Sequence, residues 1–98
     1  MKHENNFNNK ELNNLLLKRK GGSTSIKIID KLLEQPRNIN QLSKILKLDY
    51  KTIKYHVTLF FELQYLEKGK EKYGPLYYPS DKLINSIVEY EEIKRIIE

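Results

Sequence analysis

Apolar residues recur at helical spacing in five stretches of this chain, and most of these stretches are bounded by residues that start or stop helices. Leu12, Leu15 and Leu16 stand at i, i+3, i+4, one face of a first helix. Lys18, Arg19 and Lys20 suit the negative end of its dipole, and Gly21-Gly22 stops it. A helix this short needs a surface to pack on, either the body of the chain or a second subunit. Ser23-Thr24-Ser25 are positioned to cap the next helix. Ile26, Ile29 and Leu33 form its inward stripe, Ile28 and Leu32 lie beside it, and Pro36 ends it. Residues 38–40 are expected as an extended link, with Ile39 inward and Asn40 as N-cap of a helix over 41–47. That helix is expected to bury Leu42, Ile45 and Leu46, with Leu48 plugging the following turn. Asp49 is placed to cap a helix from about Tyr50 to Leu63 by accepting the backbone N–H of Lys51 or Thr52.

Residues 40–56 therefore contain two short helices joined by a turn, the pattern of a helix-turn-helix. In the second helix Ile53, Val57 and Phe60 form a narrow apolar stripe that must face the core. Lys51, Tyr55, Thr58 and Glu62 fall opposite, Thr52 and Lys54 lie on the flanks, and His56 stands close to the stripe. Donors fill the first half of the outer face. In a recognition helix that half meets base edges, where Lys pairs with guanine O6/N7 and Thr bonds a base or touches a thymine methyl. Tyr55 could reach a phosphate or pack on a sugar. A solvated face would give the same lysines, but an aromatic on a polar face usually has a partner.

Tyr65–Lys68 and Leu76–Tyr78 read as two strands, joined through Lys68–Pro75 with glycines and Pro75 for the turn. Lys68, Lys70 and Lys72 share one parity in an extended chain and could line one edge of a basic wing. Glu67 and Glu71 dilute that charge, and an ordinary solvated hairpin fits as well. Ser80 caps a last helix, in which Leu83, Ile87, Tyr90 and Ile97 follow a 4-3-7 spacing interrupted by Lys94. Ile84 and Val88 widen this stripe, while Ile93 and Ile96 lie off it. So much apolar surface on a small body predicts a two-fold dimer using Leu12, Leu15, Leu16, Leu83, Ile84, Ile87, Val88, Tyr90 and Ile97, with intradomain packing as the alternative.

Charge sharpens this picture. The chain has 98 residues and a net charge of +5, and 39% of its residues are hydrophobic, enough for one small core. Residues 1–22 carry five Lys/Arg against two acids, residues 23–48 again five against two, and residues 80–98 three against five. A polyanion would meet the front of the chain and avoid its end. Solubility alone could also account for the lysines. The first nine residues, with four Asn, are expected to be disordered. They lack the apolar segment of a secretory signal, and no apolar run approaches the ~20 residues of a membrane span. The expected location is cytoplasmic.

Candidate chemistry points away from catalysis. There is no Cys, hence no thiolate site or disulfide. The histidines, His3 and His56, cannot make a closed metal site, and no cofactor motif is present. Glu91 and Glu92 are adjacent on a helix and point apart. Two other binding classes remain: a sequence-neutral, chromatin-like DNA-binding protein, and a winged-helix protein-interaction module. The latter need not keep its recognition helix basic.

The segments RKGG (19–22), PRNINQLSKILKLDYKTIKYH (36–56) and KYGPLYYPSDKL (72–83) resemble the archaeal ArsR-like winged helix-turn-helix regulators, over residues 19–83. The resemblance implies a homodimeric, sequence-specific transcription regulator of double-stranded DNA. Its recognition helix matches Tyr50 to Thr58 and its wing Lys68 to Tyr73. Metal sensing does not carry over, since there is no Cys. The family pattern usually has Gly where Lys47 and Gln64 stand here, so either those turns are built differently or strain is tolerated. The expected organisation is a mainly α fold with a small β-hairpin wing: tail 1–9, N-terminal helix 10–22, winged helix-turn-helix 23–79 and dimerisation helix 80–98. The residues expected at DNA are Asn40, Gln41, Tyr50, Lys51, Thr52, Lys54, Tyr55, Thr58, Lys68, Lys70, Lys72 and Tyr73.

Overall fold

The computed structural model describes residues 10–97, so the expected tail 1–9 lies outside the described residues. The helices are α1 (10–16), α2 (Gly22–Glu34), α3 (Ile39–Leu46), α4 (Tyr50–Glu62), α5 (Asp81–Asn85) and α6 (Ile87–Ile97). Between α4 and α5 lies one antiparallel hairpin, β1 (Leu66–Lys68) with β2 (Tyr77–Pro79). Its register pairs Leu66 with Pro79, Glu67 with Tyr78 and Lys68 with Tyr77, and both strands begin one residue later than the expected Tyr65 and Leu76. The fold is a winged helix, mainly helical with a two-stranded wing, as the apolar periodicity predicted.

The core is built by the stripes expected: Ile26, Ile28, Ile29 and Leu32 of α2, Leu42 of α3, and Ile53, Val57 and Phe60 of α4 are all buried. Tyr65, Leu66 and Tyr77 close it from the hairpin. Several ends differ from expectation. Helix α1 stops at residue 16, not 22, so Lys18, Arg19 and Lys20 lie in a link. Gly21 takes φ 92 there, and a Cβ on Gly22 would stand 1.8 Å from the Leu16 carbonyl oxygen. Only glycine lets the two helices approach so closely.

Helix α2 is therefore capped by Gly21, and Ser25, instead of capping, is buried inside it. Helix α3 is capped by Asn38 rather than Asn40. Gln41 N donates to Asn38 Oδ1 and Asn38 N to Gln41 Oε1, each at 2.8 Å, a capping box that satisfies two donors reciprocally. Ile45 was expected inside but is 42% exposed, because so short a helix turns only one narrow face to the core.

The single C-terminal helix is in fact two. Ser86 interrupts it: its N–H bonds back to Leu83 O at 3.0 Å and its carbonyl starts α6 by accepting from Tyr90 N. The break re-phases α6, so Ile93, expected off the stripe, is buried with Tyr90. The Tyr90 hydroxyl donates to Asp30 Oδ1 at 2.7 Å and Lys94 pairs with Asp30 at 2.8 Å, tying α6 to α2.

This packing corrects the expected dimer surface. Leu12, Leu15, Leu16, Leu83 and Tyr90 are covered within the chain itself, and Ile87 and Ile97 pack partly against the core. Burying each α1 leucine contributes about 2 kcal/mol, which holds a helix of under two turns in place. Glu11 adds a polar latch, accepting from the Tyr65 hydroxyl and pairing with Lys82 Nζ at 3.0 Å. Of the expected set, Ile84 and Val88 stay exposed, at 49% and 64%, alongside Ile96 at 70%.

Candidate nucleic-acid interface

Helices α3 and α4 are joined by three residues whose geometry is fixed by local bonds. Lys47 takes φ 58, ψ 42, the left-handed region. Ser43 Oγ donates to Leu48 O at 2.5 Å, and Leu48 N donates to Ser43 O at 3.2 Å. Asp49 is the N-cap of α4, and its carboxylate takes the Thr52 hydroxyl at 2.5 Å. That hydroxyl holds the Asp49 carboxyl below its usual range. Thr52 is thus half-buried with its hydroxyl engaged, and it offers less to a ligand than its position suggested.

With Ile53, Val57 and Phe60 turned inward, α4 presents an outer face. Lys51, Lys54, Tyr55 and Thr58 meet there with Leu59 and Glu62 around a shallow depression of about 370 Å³. Four of the expected residues are therefore brought together on one surface. It combines two cationic donors, a phenol 57% exposed and a threonine hydroxyl, and its acid lies at the far end. Asn40 and Tyr50 line a different feature, a slot of about 80 Å³ shared with Ile39, Gly74, Pro75 and Tyr77 at the base of the wing. Gln41, exposed on α3, has its side-chain oxygen engaged in the capping box.

The wing departs from the edge of lysines expected. Residues 69–76 are not strand, so residue parity does not govern them. Lys68 turns back, its Nζ 5.1 Å from the Phe61 ring centroid. Lys70, Lys72 and Tyr73 are exposed, and Lys72 Nζ sits 5.6 Å from the Tyr73 ring. Glu71 folds across the loop and accepts Leu76 N at 3.1 Å. The Leu76 N–H bond is the main reason its carboxyl stays below its usual range, and the acid serves as a brace of the loop. Gly74, at φ 56, brings the loop against the Asn38 side chain, where a Cβ would lie 3.3 Å from Nδ2.

Two participants were missed from the sequence. Arg19 reaches α4 from the α1–α2 link: its NH1 donates to the Tyr55 hydroxyl at 3.0 Å, with the guanidinium carbon 5.6 Å from the Tyr55 ring centroid. Ser25 Oγ and His56 Nδ1 lie 2.8 Å apart in the interior. Burial, and next the nearby Arg19 charge, push the His56 pKa down, which favours the neutral imidazole. Both pairs are more than thirty residues apart in the chain, at separations of 36 and 31, and local periodicity carries no signal of them.

This arrangement can donate hydrogen bonds to base edges and phosphates from one helix and one loop. The class defined by the fold is the winged helix-turn-helix. Its backbone is similar to that of the transcriptional regulator BldR from Sulfolobus solfataricus, with a TM-score of 0.69 and 18% identity over 90% of this chain and 66% of that one. It is also similar to a MarR protein from Peptoclostridium difficile, at 0.62 and 27%, over 99% of this chain and 64% of that one. The transcriptional regulator SlyA matches at 0.64 and 15%, over 98% and 70%. The chain thus spans about two thirds of the length of these proteins. No protein-family model and no curated protein matches the sequence.

Proposed function

We propose that this protein is a sequence-specific, double-stranded DNA-binding transcriptional regulator, without catalytic activity, that acts as a homodimer. The observation that carries the proposal is the gathering of Lys51, Lys54, Tyr55 and Thr58 on the exposed face of a helix whose other face is locked into the core. Helix α4 enters the major groove, and Lys70, Lys72 and Tyr73 meet the backbone or minor groove beside it. Similarity to proteins described as transcriptional regulators supports this reading. So does the ArsR-like pattern of residues 36–56. Ile84, Val88 and Ile96, exposed on α5 and α6, support association with a second copy through that end.

The test is selection of bound fragments from the source genome at near-physiological salt, where non-specific binding does not dominate. Enrichment of a two-fold symmetric sequence supports the regulator. Binding without enrichment would mean a sequence-neutral DNA-binding protein. No binding would turn the α4 face toward a protein partner.

A further inference from the structure

Arg19 is an unusual residue in this fold. It belongs to the α1–α2 link, yet its guanidinium lies against the exposed face of α4. Its Nε and NH2 are buried and find no acceptor among the described residues, so only NH1 is engaged, on the Tyr55 hydroxyl. Covering a cation without pairing all its donors is unfavourable. The contact with Tyr55 rests on the NH1 hydrogen bond and the ring, and the two covered nitrogens cannot themselves touch a phosphate without the link moving. The Tyr55 oxygen accepts from Arg19, which leaves its own O–H hydrogen with no acceptor among the described residues. The phenol is 57% exposed and borders the depression shared with Lys51 and Lys54.

Resting on the DNA-binding reading, we propose that Arg19 is a positioning residue for DNA. It holds the Tyr55 ring on the rim of the α4 face and aims the phenol O–H at a backbone phosphate oxygen. A hydroxyl that accepts from a cation is polarised and becomes a better donor to an anion. The preferred orientation is set before DNA arrives, so little side-chain freedom is lost at binding. Arg19 acts through Tyr55; Lys51 and Lys54 act directly.

The experiment is a thermodynamic cycle on the selected DNA, with Arg19→Met, Tyr55→Phe and the double variant, each checked by circular dichroism and thermal midpoint. Each single change should weaken binding about tenfold, the loss of one charge-assisted hydrogen bond. The double variant should bind no more weakly than Tyr55→Phe, because both changes remove the same phosphate contact. Arg19→Lys, which keeps a charged donor, should recover part of the loss. If the two losses multiply in the double variant, Arg19 touches DNA independently and the inference is overturned. It is equally overturned if Arg19→Met binds as wild type does. Should Arg19→Met fail to fold, Arg19→Gln replaces it in the same cycle with the same outcomes. Wild-type protein that binds no DNA would instead remove the reading on which this inference rests, so the two failures are distinguishable.

Discussion

On the proposed DNA-binding reading, the side chains of α4 and the wing divide reading from anchoring, one residue at a time. Lys51 projects from the first turn of α4 into the face opposite the core, whereas Lys70 stands in the wing loop. Lys51→Ala should lose about 1–3 kcal/mol on the preferred site and relax selectivity at one or two base pairs. Lys70→Ala should weaken preferred and scrambled DNA alike and lower the salt slope by about one unit per subunit. Titration against both DNAs at several salt concentrations checks this pair; equal behaviour of Lys51→Ala and wild type would refute the assignment of the reading face. His56 makes a different prediction. Its folded pKa is depressed by burial first and by Arg19 second, so below about pH 6.5 the unfolded chain binds a proton that the folded chain resists. The stability from neutral His56 is complete above that pH and declines as pH falls toward the folded pKa. Urea unfolding between pH 7.5 and 5.5 should show this decline in wild type and a flatter profile in His56→Gln. The sequence placed His56 beside the apolar stripe, but Ser25 as its partner was invisible, because the pairing depends on how α2 crosses α4.

Helices and turns were largely legible as elements, and their ends much less so. Core stripes such as Ile53, Val57 and Phe60 follow from periodicity, because burying one apolar face outweighs every local preference along the helix. Ends depend on single hydrogen bonds, and more than one residue could make them. Asn38 and Asn40 both resemble caps, and the Gln three residues after Asn38 decides between them. The break at Ser86 had no Gly or Pro to announce it. The glycine positions of the resembled pattern were informative, since the two residues departing from it, Lys47 and Gln64, are the only non-glycines among the described residues with positive φ, at 58° and 70°. The turns keep their shape and the side chains bear the strain. A left-handed non-glycine costs about 1–2 kcal/mol, and glycine returns about 0.5–1 kcal/mol of that through its freer unfolded state. Lys47→Gly and Gln64→Gly should each stabilise the fold by about 0.5–1 kcal/mol, measured as a higher urea midpoint at unchanged slope.

At the scale of the molecule, assembly and electrostatics can be tested together. If a dimer neutralises about six phosphates, log K should fall with log salt at a slope of roughly −5. Light scattering at tens of micromolar should give the mass of a dimer. Val88→Glu, at a position 64% exposed, should give a folded monomer with weaker binding to a two-fold site. A wild-type monomer would refute this arrangement. The charge distribution was legible from the sequence alone. The assignment of apolar surface was not, since which leucines α1 buries depends on the close crossing at Gly22. Arg37, just before α3, exchanges two backbone hydrogen bonds with Tyr77 of the wing, at 3.2 and 2.8 Å. The base of the hairpin is thereby bolted to the helix-turn-helix, which fixes the span from α4 to the start of the wing. On the DNA-binding reading proposed above, a duplex whose grooves do not match that span must itself deform, and the bending stiffness of the DNA then enters the selectivity at base pairs the protein never touches.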